Sequence, residues 1–285
     1  MRNSKLTPVI LLLPLMAVTL TVIIACVNVL LQSIGYVPAF GLTKITLGYY
    51  REVFKRPEFL SALWVSLRIA FVSTLLAAAL GTLLCAALVK RRAGGGMLYT
   101  VRFPILVPHT VVALFIMTLL GQTGIVARAA YGLGLISDYT KFPQILFTPG
   151  YGGAIAGYLW KEIPFVAYYT LALMASVSNT LGEAAENLGA SPLRSFFLVT
   201  LPMSLPAVSK AALIIFIYAF GGYELPALLG STLPKALPVQ AYITYLSPDL
   251  LQRPLAMAMF GVILMLSVLM AALYSIGIHR LIKRL

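Results

Sequence analysis

The chain has 285 residues, of which 60% are hydrophobic and only 10% charged, where a soluble domain carries roughly 25% charge. A large soluble core accounts for some of that bias, but not for uninterrupted apolar runs, so the composition excludes an ordinary soluble enzyme or binding module. The formal net charge of +13 is scattered over the ends of those runs instead of gathering on one face, which points to anionic lipid headgroups as counterions and away from nucleic acid.

A helix rises about 1.5 Å per residue, so ~20 apolar residues cross a hydrocarbon core of roughly 30 Å. Six spans are predicted on that basis, near 6–31, 60–89, 99–121, 151–176, 206–227 and 254–279. The first carries no charge from Leu6 to Leu31 and exceeds the apolar stretch of a signal peptide, with no small-residue cleavage site before Gln32. It reads as a retained span. The connection from Gln32 to Phe59 has room for an interfacial helix, although Leu47, Tyr49, Tyr50, Val53 and Phe54 form no single clean stripe. Ile69–Val89 is free of charge and ends in the basic block Lys90-Arg91-Arg92, and Phe103–Ala127 is charge-free as well.

The fourth span is interrupted halfway by Lys161-Glu162-Ile163-Pro164. Neighbouring residues point about 100° apart on a helix, so the two charges are not expected to pair directly. Pro164 is expected to bend the span and free a carbonyl for a nearby donor. The fifth span ends in Phe220-Gly221-Gly222-Tyr223-Glu224-Leu225-Pro226, and the sixth is charge-free from Leu255 to Ile278. Charges inside spans are costly and usually paired or functional; here they are Arg68, Lys161, Glu162, Lys210 and Glu224. Each serves either bundle organisation or a solute path. A carboxylate at Glu224 beside Tyr218 and Tyr223 suits an amine, through charge pairing and cation–π contact, while the paired glycines also permit plain close packing.

Lys and Arg near span ends set the orientation. Arg2 and Lys5, Lys90-Arg91-Arg92, Arg194, and Arg280, Lys283 and Arg284 fall on one side of a six-span topology. That side is predicted to be cytoplasmic and to hold both termini. Lys44, Arg51, Lys55 and Arg56 fall outside, accompanied by Glu52 and Glu58.

Between the fourth and fifth spans lies Glu183-Ala184-Ala185-Glu186-Asn187-Leu188-Gly189-Ala190, followed by Ser191-Pro192 and by Leu201-Pro202. Thr180 and Glu183 fit a capping box at a helix start, with Glu183 and Glu186 near its positive end. Ala184 and Ala185 favour helix and add little bulk. Gly189 tolerates the left-handed conformation that stops a helix, and Ser191-Pro192 restarts one as N-cap and first helical residue. The expected shape is a short helix, a sharp turn and a second helix, with the chain redirected at Leu201-Pro202.

Glu183, Ala184, Ala185, Gly189, Leu201, Pro202 and Pro206 match, with the right spacing, the coupling loop of bacterial binding-protein-dependent ABC importer permeases, which the chain closely resembles. The resemblance extends over most of the sequence from about residue 60, including Pro104–His109 and Leu233-Pro234-Lys235-Ala236-Leu237-Pro238-Val239. It implies an all-α membrane protein with a type I importer core formed by spans two to six, a first region 1–59, and a permease core 60–285 containing the coupling loop 178–206. It also implies that Glu183, Ala184, Ala185, Glu186, Gly189, Ala190, Leu201 and Pro202 contact an ATPase. The implied partners are two ABC ATPase subunits that bind ATP and Mg, a second permease that is identical or related, and an extracytoplasmic solute-binding protein docking in part on Gly121–Gly150. Gly132-Leu133-Gly134 in that connection reads equally well as a plain turn.

The sequence itself has no Walker A run: Gly94-Gly95-Gly96 lacks the Lys-Ser/Thr ending. No catalytic or metal constellation is present, and Cys26, Cys85, His109 and His279 lack the neighbours such a site needs. Within the family the chain is most similar to spermidine/putrescine permeases, with Tyr218, Tyr223, Glu224, Lys161 and Glu162 as a possible solute path. Aminophosphonate, ferric iron and thiamine permeases remain alternatives, and a secondary carrier or channel is the alternative class.

Overall fold

The computed structural model describes residues 7–282, with side chains for 11–277; Arg2, Lys5, Lys283, Arg284 and the side chains of His279 and Arg280 lie outside that description. Among the described residues the regular elements are helices joined by turns and irregular connections, with one isolated bridge between Val37 and Leu42. In order, the helices are α1 (Thr7–Ser33), α2 (Gly48–Lys55), α3 (Pro57–Lys90), α4 (Gly95–Leu106), α5 (His109–Leu120), α6 (Ile125–Gly132), α7 (Gly152–Val177), α8 (Glu183–Asn187), α9 (Pro192–Ser195), α10 (Leu201–Gly221), α11 (Glu224–Leu229), α12 (Leu237–Tyr245) and α13 (Arg253–Ile282). Among the described residues, five stretches are long and apolar enough to span a membrane: Leu11–Ser33, Pro57–Lys90, His109–Gly132, Pro192–Gly221 and Leu250–Gly277. α7 has the length, at 26 residues, but carries Lys161 and Glu162 and is not one of the five.

Two compact units emerge, one from the chain up to Phe59 together with Gln240–Met265, the other from Leu60–Val239 together with the chain from Leu266. In the first, α2 forms where the sequence showed no clean stripe. Val53 is fully buried, while Arg56 pairs with Glu52 at 2.6 Å. Tyr50 donates to Ser33 at 2.8 Å, and a side chain at Gly261 would strike the Tyr50 hydroxyl. The Arg253 guanidinium lies over the rings of Phe40 and Tyr245.

In the second unit α7 is the central element, packed against α4, α5 and α10. Ala77 of α3, Val166 of α7, and Ala211 and Ile215 of α10 form one buried cluster. Cys85 and Leu88 of α3 join Ala167 and Met174 of α7 in another. Gly81 permits this approach: a Cβ there would sit 2.6 Å from Val166 Cβ and 2.7 Å from the Ile163 carbonyl. On the far side of α6, the backbone N–H of Thr140 donates to Asp138 at 2.8 Å and holds that exposed carboxyl below the usual range.

One expectation about the spans needs correction. The third span, expected near 99–121, is broken: α4 stops at Leu106 and α5 starts at His109, with Val107 extended at ψ 130°. Pro108 causes the break, because its ring disfavours helical geometry at the preceding residue. The fourth span runs as one helix through Pro164, with Ile163 and Val166 on either side packed into the α3 contact. Lys161 Nζ donates to the Val107 carbonyl on the neighbouring break at 2.6 Å.

Two substitutions test this packing. Gly81→Ala should cost about 1–3 kcal/mol through overpacking, seen as a lower melting temperature of the detergent-solubilised complex. Lys161→Met should cost about 1–3 kcal/mol by stranding the Val107 carbonyl, with faster amide exchange in residues 104–112 as the local signature.

Candidate functional site

The 183–202 segment is a hairpin between α7 and α10. The chain enters through a wide turn at Ser178–Gly182 and leaves through another at Phe196–Thr200, each with the broader hydrogen-bond spacing of a π-helix. The expected capping box is absent, because no helix starts there: Gly182 is itself helical at φ −63° and ψ −50°. The Thr180 hydroxyl instead donates to the Ser176 carbonyl at 2.8 Å. Nor is the chain redirected at Leu201-Pro202. Thr200 and Leu201 are helical, and the wide turn before them accommodates the N–H that Pro202 lacks.

The turn itself follows the sequence closely. Gly189 is left-handed at φ +94°, and the N–H groups of Gly189 and Ala190 donate to the carbonyls of Glu186 and Ala185, closing α8 as a glycine C-cap does. Ser191 caps α9 by accepting from the Arg194 N–H at 3.4 Å, with Pro192 at the first position. The two arms are fastened by a buried bond from the Ser195 hydroxyl to the Gly182 carbonyl at 3.0 Å.

Beside this hairpin lies a cavity of about 450 Å³, bordered by Lys90 and Arg92 from the end of α3 and by Glu183, Glu186, Phe196 and Phe197. Arg92 approaches Glu183 at 3.7 Å with both side chains largely exposed, so this pair contributes little to stability. Its value is positional, bringing the basic block to the hairpin. Leu188 at the turn is 90% exposed and Leu193 72% exposed.

A second cluster assembles at the α4–α5 break. Lys161 of α7 lies 3.5 Å from Nδ1 of His109 as well as bonding Val107. Tyr218 of α10 reaches the same nitrogen at 3.1 Å. The His109 ring sits 5.0 Å from the Tyr218 ring and 6.2 Å from that of the buried Tyr158. α11, headed by Glu224, packs against α5 and α7, and Gly222 before it leaves no room for a side chain against the Tyr158 hydroxyl. Glu224 is exposed and within electrostatic reach of Lys161, His109 and Tyr218.

Of the residues selected from sequence for a solute path, Lys161, Tyr218 and Glu224 converge here. Glu162 is buried beside them and acts electrostatically on Lys161 and Tyr218, and Tyr223 is partly exposed next to Glu224. Arg68 is drawn elsewhere, to the Pro149 carbonyl, and Lys210 is exposed on α10. Sequence reasoning assigned no role to His109, whose partners lie 52 and 109 residues away. It also passed over Arg102, which stacks on Tyr168 at 4.3 Å. Among the described residues no group of His, Cys, Asp and Glu could hold a metal ion.

Residues 77–283 match the family of binding-protein-dependent transport system inner membrane components. The putrescine transport system permease protein PotI of Escherichia coli (strain K12) is 26% identical over 175 residues, covering 59% of this chain and 55% of PotI; the chain thus spans little more than half of that relative's length. The sulfate transport system permease protein CysT of the same strain is 26% identical over 238 residues, 83% of this chain and 82% of CysT. A bacterial alginate ABC transporter, crystallised with its pentasaccharide-bound periplasmic protein, shares the fold of one chain with a TM-score of 0.73 at 18% identity, over 95% of each chain. The family is one of non-catalytic transport components. With its helical, multi-pass architecture and a match over most of its length, this chain belongs to the binding-protein-dependent transport system inner membrane components.

Proposed function

We propose that the chain is the permease half of an ATP-driven solute importer, crossing the bacterial inner membrane six times with both ends in the cytoplasm. Spans two to six form the translocation core, with α7 as the polar fourth span. A second permease, identical or related, completes the pathway, two ABC ATPase subunits bind ATP and Mg, and an extracytoplasmic binding protein delivers the solute. The observation that carries this reading is the 183–202 hairpin. Its two short helices and left-handed Gly189 present exposed apolar residues beside the basic Lys90–Arg92 block, and it is continuous with α7 and α10.

In this reading Glu183, Ala184, Ala185, Glu186, Gly189, Ala190, Leu201 and Pro202 form the ATPase-coupling element. The hairpin has no flexible joint, because helical turns run from α8 back into α7 and from α9 into α10, and the Ser195–Gly182 bond fastens the arms. Movement of the ATPase against the tip is delivered to the two spans as a rigid lever. The solute is a small amine, polyamines being the simplest class, taken by Glu224 with Tyr218 and Tyr223. The relatives are named for putrescine and for sulfate, solutes of opposite charge, so the amine rests on those residues and not on kinship.

The test is nucleotide-dependent uptake by the assembled transporter in proteoliposomes. Gly189→Val forces a β-branched residue into the left-handed region, at a cost of about 1–3 kcal/mol, and reshapes the tip. Uptake should fall about tenfold or more while the ATPases hydrolyse ATP at their own basal rate. Full uptake with Gly189→Val would remove the coupling role.

A further inference from the structure

The His109 ring carries an unfinished hydrogen-bond pattern. Its Nδ1 faces the Tyr218 hydroxyl at 3.1 Å and the Lys161 amine at 3.5 Å. An ammonium only donates, so Nδ1 accepts, and in the neutral imidazole the proton then sits on Nε2. That Nε2 is buried and, among the described residues, has no hydrogen-bond partner. A buried donor left unmade is costly, and native structures rarely keep one without a use. The surrounding groups are of both signs. Lys161 supplies a cation from α7, Glu224 a carboxylate at the head of α11, and Glu162 a second carboxylate on α7, with the Tyr158 and Tyr218 rings against the imidazole.

We propose that His109 is a solute-recognition residue whose Nε2–H donates to an oxyanion of the solute while Glu224 takes its amine, so that the imported molecule is a small zwitterion carrying both groups. This rests on the reading of the cluster as part of the solute path, and narrows amines in general to amines that also bear a carboxylate or phosphonate. A diamine satisfies Glu224 but brings a second cation toward Lys161 and leaves Nε2–H unpaired. An amine-free anion satisfies Nε2–H and leaves Glu224 unpaired. The buried Nε2–H is the group whose loss of a partner lets the site reject the diamine strongly, while an amine-free anion forfeits the charge pairing at the exposed Glu224. The imidazole is shared with Tyr218 of α10 and lies at the α4–α5 break, where Val107 and Pro108 already interrupt the helix.

The experiment uses the complete transporter with its binding protein, trapped with ATP and vanadate. It measures retention of radiolabelled 4-aminobutanoate, 2-aminoethylphosphonate, 1,4-diaminobutane and butanoate. Retention of one of the two zwitterions, at least tenfold above the diamine and the simple anion, is expected. His109→Asn keeps an acceptor near the Nδ1 position but lacks the remote donor, and should erase that preference. His109→Gln places an amide N–H near the Nε2 position and should restore part of it, whereas a merely structural histidine would alter retention of all probes alike. Retention of the diamine as strongly as the zwitterions, or an unchanged preference with His109→Asn, overturns the proposal. Failure of the importer reading is separately visible as uptake that persists without nucleotide.

Discussion

In hydrocarbon, every backbone carbonyl must find a donor within the protein, and this chain places a proline where a span can least tolerate it. Pro108 pushes Val107 out of helical geometry and leaves its carbonyl without an intrahelical partner. Lys161 reaches across from α7 to supply the donor at 2.6 Å. The same interaction explains how a lysine is kept at the middle of a bundle, because its charge has a carbonyl, an imidazole and two nearby carboxylates to face. From that tie the rest of the second unit follows. α7 is held against the α4–α5 break, Tyr218 of α10 joins through His109, and α11 closes over the cluster behind Gly222.

A polar knot of this kind suits a transporter better than it suits a rigid scaffold. Three helices meet at His109 through contacts of 3.1 Å to Tyr218 and 3.5 Å to Lys161, whereas the contacts of α3, α7 and α10 are buried and close-packed around Gly81, Val166 and Met174. Packed interfaces move as units; hydrogen-bonded ones exchange partners. The hairpin at the other end of α7 and α10 has the opposite character, with the two wide turns and the Ser195–Gly182 bond leaving no loose joint. In the proposed mechanism the hairpin, the close-packed contacts and the polar cluster form one mechanical line along the same pair of helices.

Much of this was legible in the sequence because it is local. Charge-free runs predict spans, Gly189 predicts the left-handed turn, and Ser191-Pro192 predicts a capped helix start, each from residues within a few positions of one another. Where local rules failed, a competing contact had won. The Thr180–Glu183 pattern has the spacing of a capping box, but the helix arriving from α7 never ends, so there are no free N–H groups to cap. Pro108 breaks its span, whereas the helix carrying Pro164 continues past it against α3. The role of His109 was illegible in principle: an isolated histidine acquires meaning only when Lys161 and Tyr218 arrive from distant parts of the chain.

The most direct test of the central claim is proximity between the hairpin and the ATPase. With Cys26 and Cys85 replaced by serine and the exposed Ala184→Cys introduced, a short bifunctional crosslinker should join the permease to an ATPase subunit in the assembled transporter, with a yield that changes on addition of ATP and vanadate. A fully assembled, transport-active complex in which Ala184→Cys never crosslinks to the ATPase, while a cysteine on the opposite membrane face does, would contradict the account.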